Sequence, residues 1–192
     1  MTTKKFENSL ENQLLIAMPQ LLDPYFANTV TYLCKHNEEG ALGIVINQPL
    51  KMNLAGVFDE LEIEFPKEDP DFQTCNVLEG GPVEREKGFI IYRASQCDGS
   101  ALQVAEDICL STSRKILQDI ANGKGPEQFM VALGCAGWDA GQLESEISNN
   151  VWLTSPAPAE LLFSTDYGSK AARAAALLGV DLSQLSPAAG HS

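Results

Sequence analysis

Positive charge is scarce in this 192-residue sequence: thirteen Lys and Arg stand against twenty-six Asp and Glu, for a formal charge of −13. Such a balance repels DNA, RNA and anionic membranes at long range, so direct nucleic-acid binding is disfavoured from the outset. Histidine is scarcer still, with only His36 and His191, which leaves little from which to build a Cys-His nucleophilic pair or a His-based metal site. The five cysteines, Cys34, Cys75, Cys97, Cys109 and Cys135, lie 41, 22, 12 and 26 residues apart. There is no CxxC pair for zinc or dithiol exchange, and an odd count argues against a closed disulfide framework. No apolar run approaches the roughly 18 residues of a membrane span, and the opening MTTKKFENSLENQ has no apolar core of signal-peptide length. These absences lead to the expectation of a cytoplasmic protein with reduced thiols and no membrane segment.

What is present suits a folded protein. Hydrophobic residues make up 44% of the chain and charged ones 20%, as in soluble globular domains rather than disordered segments. A chain of this length buries roughly 70% of its unfolded surface without a metal or disulfide staple. Residues 1–12 are polar and aperiodic and read as a flexible tail, with a single domain over 13–192. The acidic excess is concentrated at residues 59–71, where seven carboxylates face the single Lys67. That segment reads first as a solvated loop around Pro66 and Pro70, and second as a docking surface for a basic partner.

Short apolar runs at residues 14–18 and 29–33 predict strands, with Asp23-Pro24 turning between them. Residues 41–47, ALGIVIN, are apolar on both alternating faces, the pattern of a central strand. Asn53 is placed to cap a helix carrying Leu54, Val57, Phe58 and Leu61. The alternation that follows, over residues 60–65, also suits an edge strand. Residues 75–78, 88–93 and 103–110 suggest an antiparallel section. Thr112 or Ser113 can cap a helix with Ile116, Leu117 and Ile120, closed by Gly123. Residues 129–133 return as a buried strand. Residues 151–154 and 161–163 are short strand candidates, and the alanine-rich stretch 169–178 predicts a helix. Strands and helices interleave without a regular βαβ period, so the fold class expected is α+β.

The most specific segment is GCAGWDAGQLESEISNNVW, residues 134–152. Asp139 followed by Gln142 reads as a variant capping box. Leu143 and Ile147 should face the core, and Gln142, Glu146 and Asn149 or Asn150 should line a polar stripe. The glycines permit close backbone approach, but Asp139, Glu144 and Glu146 oppose an anion at this helix start, and no P-loop lysine is present. Trp138 and Trp152 read as core aromatics whose indoles bond to backbone, with ligand stacking as the functional alternative. Cys135 stands in a glycine-rich turn of the kind that acidifies a thiol, without a nearby base. Asp23 and Asn47 lie at strand ends, where each has a turn-making role and where a cleft is also able to form. Gly80-Gly81-Pro82 is a turn first and a ligand-approach loop second.

Taken together these segments resemble the AlgH/YqgE family of small bacterial proteins. The resemblance is carried by residues 15–50 (LIAMPQLLDPYFANTVTYLCKHNEEGALGIVINQPL), GGPV at 80–83, GFIIY at 88–92, AGWDAGQLESEISNNVWL at 136–153 and LLGVDLSQLSPAAGHS at 177–192. It implies a single α+β domain with a strongly bent, barrel-like mixed β-sheet flanked by helices, and it implies no reaction. Members carry a transcriptional-regulator label because the founding branch is associated with control of polysaccharide biosynthesis genes, yet the family has no recognisable DNA-binding motif. This chain departs from the usual pattern at Tyr92, commonly His, at Cys135, commonly a larger aromatic, and at residues 167–171, which often include Trp. The pattern is retained at Asp23, Asn47, Gly81, Trp138, Gln142 and Glu146, which are the candidate binding residues. No catalytic residue, metal or cofactor is expected. The resulting expectation is a non-catalytic regulatory or adaptor protein that acts on an unknown protein partner or small molecule and affects transcription indirectly. Its alternative is a small-molecule sensor or enzyme with a cleft around the Trp138 block.

Overall fold

One of the two 11-residue strands organises the molecule. In the computed structural model, which describes residues 7–185, strand β9 (Phe129–Asp139) changes partners halfway along. Its first half pairs antiparallel with β6 (Val83–Arg93) on one side and parallel with β5 (Asn76–Glu79) on the other. Its second half pairs with β3 (Gly40–Val45), from Ala136↔Gly43 to Asp139↔Gly40. The change of partner falls at Gly134, whose φ of +78° is open to glycine and strained for any other residue. Opposite it Gly81 packs so closely on the backbone of Cys135 that a Cβ would collide with it.

From this strand the sheet curls both ways. One arm continues from β3 through β2 (Val30–Asn37) and β1 (Gln13–Ala17) to β10 (Trp152–Pro156), and the other from β6 through β8 (Ile108–Ser111) to β7 (Leu102–Ala105). Strand β4 (Pro49–Asn53) joins only β5. The β5–β9 contact is the parallel one, so the sheet is mixed but chiefly antiparallel. The fold is a single α+β domain with a curled, half-barrel sheet, as the resemblance implies.

Alternation along the strands explains how both faces are covered. Phe89 and Ile91 of β6 enter one core while Ile90 and Tyr92 enter another, and Met130, Ala132 and Val131 of β9 divide the same way. The first core is closed by α5 (Ala159–Leu162) and α6 (Lys170–Ala176), through Leu161, Leu162, Ala174 and Ala175. The second lies under α1 (Leu54–Glu60) and α3 (Arg114–Ala121). A third holds Trp138, Trp152 and Leu143 of α4 (Gln142–Ser148).

Local chemistry sets several boundaries as expected. The Asn53 side chain accepts from Gly56 N and the Ser113 hydroxyl from Lys115 N, so each caps its helix. Strand β3 lies inside the sheet, consistent with its two apolar faces. Other expectations need correction. Residues 60–65 form neither strand nor longer helix: the backbone reverses at Glu62 (φ +53°), dropping Ile63 and Phe65 into the core beside Phe58. A short helix follows, α2 (Pro70–Thr74), capped by Asp69. Residues 103–110 are two strands of a hairpin, and residues 161–163, expected as strand, belong to α5 and the residue that ends it, placing both Leu161 and Leu162 inward. β5 is not the hairpin partner of β6; it reaches β4 and β9.

The tail also differs from expectation. Residues 1–6 lie outside the described residues, as do residues 186–192 with His191. Residues 9–12 are tied to β2: Leu10 N donates to His36 Nδ1 at 3.0 Å, His36 N donates to Glu11 Oε1 at 3.0 Å, and Asn12 N donates to Leu33 O at 2.9 Å. With Nδ1 accepting, a neutral His36 carries its proton on Nε2 and donates it to Glu144 Oε1 at 2.8 Å. Reduced thiols were also expected, but Cys97 and Cys109 form a disulfide, with Cα atoms 5.7 Å apart, because the β7–β8 hairpin folds Cys109 back under the loop that carries Cys97.

Candidate functional site

Three of the six candidate residues meet at one carboxylate. Glu146 Oε2 accepts both indole N–H groups, from Trp138 at 2.9 Å and Trp152 at 2.7 Å, while Oε1 accepts from Gln142 Nε2 at 2.9 Å. The other end of Gln142, Oε1, accepts from Asp139 N at 3.0 Å. The indoles are 6% and 4% exposed and stack edge to face at 6.0 Å. They are core aromatics, as expected, but bond to a side chain instead of backbone. Asp139 does not cap the helix. Its pairing with Gly40 extends β9, which delays the helix until Gly141 takes the cap position in a left-handed conformation. Only the returning half of the capping box forms, through Gln142.

Asp23 reaches this cluster indirectly. Its Oδ1 accepts from Tyr25 N and Phe26 N, fixing a turn that lays Phe26 5.7 Å from the Trp152 ring and 6.3 Å from Trp138. Asn47 and Gly81 lie elsewhere. The Asn47 side chain accepts from Val30 N at 2.8 Å and donates to Asn28 O at 2.9 Å, stitching the entry of β2. Gly81 serves the close crossing of chains beside Cys135. The thiol of Cys135 is buried within β9, and burial pushes its pKa up, the reverse of the activation its glycine-rich neighbourhood suggests. The Glu146 carboxylate ties α4 to β9 and β10. With three donors committed to it, it is a latch that ties these elements together, while Asn47 and Gly81 make the separate contacts given above.

A cleft does exist, on another part of the molecule. It has a volume of about 490 Å³ and runs between α2, β5, the start of β9 and the α5–α6 connection. Leu78, Phe129, Met130 and Phe163 form an apolar wall, and Thr74, Asn76, Ser164 and Thr165 supply polar groups. Asp71 stands exposed on its lining. Cys75, Tyr167 and Lys170 complete the chemistry. Lys170 is 1% exposed; its Nζ donates to Leu162 O at 2.9 Å and Ile46 O at 3.2 Å. Burial lowers its pKa to about 8, with repulsion from Arg173 adding to the effect. Burial pushes the Cys75 thiol up, helped by Asp71, and the Tyr167 phenol up as well, so both stay protonated at neutral pH.

None of these residues is among the six binding candidates read from the sequence, although residues 167–171, with Tyr167 and Lys170, depart from the family pattern. The available signal was Lys170 itself, a long cationic side chain heading a helix otherwise composed almost wholly of alanine, whose surface is too apolar to remain in water.

Residues 14–183 match the AlgH-like family model. This chain belongs to the AlgH-like family. It is 46% identical over 185 residues to a UPF0301 protein of Idiomarina loihiensis, covering 96% of this chain and all of that one. A UPF0301 protein of Chromohalobacter salexigens is also 46% identical over 185 residues, covering 96% and 99%. Among solved structures the chain is similar to the solution structure of the AlgH protein from Pseudomonas aeruginosa, with a TM-score of 0.79 and 43% identity over 99% of this chain and 100% of that one. A Corynebacterium diphtheriae protein at 18% identity, covering 88% of each chain with a TM-score of 0.64, shares the fold. Among the described residues no helix is long and apolar enough to cross a membrane.

Proposed function

We propose that this chain is a non-catalytic regulatory or adaptor protein that acts by binding and influences transcription without holding DNA itself. The observation that carries the reading is the closure of the Trp138 block: Glu146, its one central carboxylate, is committed to two indoles and an amide. It is thereby withheld from acid-base work on a substrate. The charge of −13 supports the second half of the reading, since phosphate contacts provide most of the affinity for DNA. Carboxylates dominate the exposed segment around α1 and α2, where Glu60, Glu62, Glu64 and Glu68 all face solvent, a surface better suited to a basic protein than to nucleic acid.

The test is a fluorescence-anisotropy titration of promoter fragments at physiological salt, run beside an affinity capture of partners with the wild type and a variant in which those four glutamates become Gln. The reading expects no sequence-specific DNA binding and a captured protein lost in the variant. Specific promoter binding that survives physiological salt overturns it.

A further inference from the structure

The protein has twice as many acidic as basic residues, yet two cations at or beside one cleft, Lys170 and Arg173, are paired with no carboxylate. Lys170 is buried in the cleft wall, and Arg173, three residues later, donates from Nη1 at 2.9 Å to the hydroxyl of Ser164, which lines the same cleft. Among the described residues neither forms an ion pair with a carboxylate. A buried ammonium ordinarily has a countercharge. Here it has two carbonyl oxygens, Ile46 O and Leu162 O, and the face of the Tyr167 ring 5.5 Å from Nζ, none of which carries a negative charge.

We propose that the cleft is a binding site for a small monocarboxylate with an apolar or aromatic body, the carboxylate supplying the missing countercharge to Lys170 near Ser164 and Arg173. The rest of the wall suits the remainder of such a ligand. Phe129, Phe163, Met130 and Leu78 offer apolar and aromatic surface, and the volume of about 490 Å³ lies in the range of ordinary small-molecule sites. The charge of the ligand is bounded as well. One buried ammonium matches one negative charge, and Asp71 on the cleft lining opposes a second, so inorganic phosphate and phosphate monoesters are disfavoured. The inference does not rest on the adaptor reading, whose acidic residues Glu60, Glu62, Glu64 and Glu68 are not among those lining the cleft.

The site carries its own protonic signature. The titratable and charged groups around Lys170 are Asp71, Cys75, Tyr167 and Arg173. A bound carboxylate stabilises the ammonium and raises its pKa from about 8. At pH 8.5 the free amine is mostly neutral, so binding takes up most of a proton. Burial raises the pKa of both Cys75 and Tyr167, which favours their protonated forms.

The experiment is isothermal titration of the full chain with phenylacetate, hexanoate, phenylacetamide and inorganic phosphate, at pH 7 and at pH 8.5 in buffers of different ionisation enthalpy. The expected result is carboxylate binding that is at least about tenfold tighter than that of the neutral amide or of phosphate. Proton uptake should appear at pH 8.5, and binding should vanish in Lys170→Met. If that variant does not fold, Arg173→Gln, on an exposed side chain, should weaken binding about two- to fivefold. Equal binding of the amide, tighter binding of phosphate, no proton uptake at pH 8.5, or no binding of either carboxylate at about 10 mM overturns the proposal.

Discussion

Replacing Glu146 with Ala tests the latch directly. The change removes the acceptor of two indole N–H groups that are almost wholly sealed from water, with Trp138 6% and Trp152 4% exposed. A buried donor left without an acceptor costs about 1–3 kcal/mol, so the two together cost about 2–6 kcal/mol. The exposed amide of Gln142 regains water and adds little. For a chain of this size each kcal/mol lowers the melting temperature by about 2–4 °C, which places the expected fall between about 4 and 24 °C. Glu146→Gln separates the hydrogen bonds from the charge: its amide oxygen still accepts both indoles, and only the bond to Gln142 is lost. It should cost about 1–2 kcal/mol, because both indole bonds pass from a charged to a neutral acceptor. Urea unfolding followed by far-ultraviolet circular dichroism measures all three proteins, and tryptophan emission should shift to the red in Glu146→Ala while the native fold persists. A loss below about 1 kcal/mol in Glu146→Ala would mean that water reaches both indoles, and the latch argument would be refuted.

Lys170→Met removes a buried ammonium whose folded pKa of about 8 lies below its unfolded value of 10.5. The penalty is complete below pH 8 and disappears as pH rises to 10.5, so wild type should gain about 3 kcal/mol relative to Lys170→Met over that window. The raised thiols and phenols of Cys34, Cys75 and Tyr32 act in the opposite sense as the unfolded groups ionise, but equally in both proteins, so the difference between the two unfolding curves isolates the lysine. Gly134→Ala forces a side chain into a left-handed conformation against the backbone at Gly81 and Val83; a loss above about 2 kcal/mol is expected, read by thermal unfolding, and a neutral effect would contradict the assigned crossing of chains. Reduction of Cys97–Cys109, which closes a loop of 12 residues, should lower stability by about 3 kcal/mol in a comparison with and without reductant; identical curves would remove the disulfide's assigned role.

The parts of the structure that could be read from the sequence are those decided within a few residues. Asn53 and Ser113 cap because their side chains reach backbone two or three positions away, and the polar stripe of α4 follows from helical spacing alone. The Trp138 block was recognisable as a unit, but the partner of its indoles was not, because that depends on β9 running on to Asp139 and on β10 arriving beside α4. The cleft was not legible for a similar reason. Lys170 is buried by carbonyls 8 and 124 residues away, and no local pattern announces the second. Counting cysteines suggested free thiols, whereas the hairpin geometry of β7 and β8 decides the one pair that forms.

The pairing of β1 with β10 bears on how the molecule is made. Leu14 faces Ser155 and Ala17 faces Trp152 across the sheet, so β1 acquires one of its two neighbours only once residues 152–156 have been synthesised. During translation β1 can pair with β2 but must wait with its outer edge uncovered, the condition under which strands recruit wrong partners. Such distant pairing also predicts slow folding once the chain is complete. In the finished fold the hydrogen bonds of residues 9–12 to β2 extend that pairing beyond β1, so the β2 side of β1 is anchored over a longer stretch than the five residue pairs it shares with β10 would need.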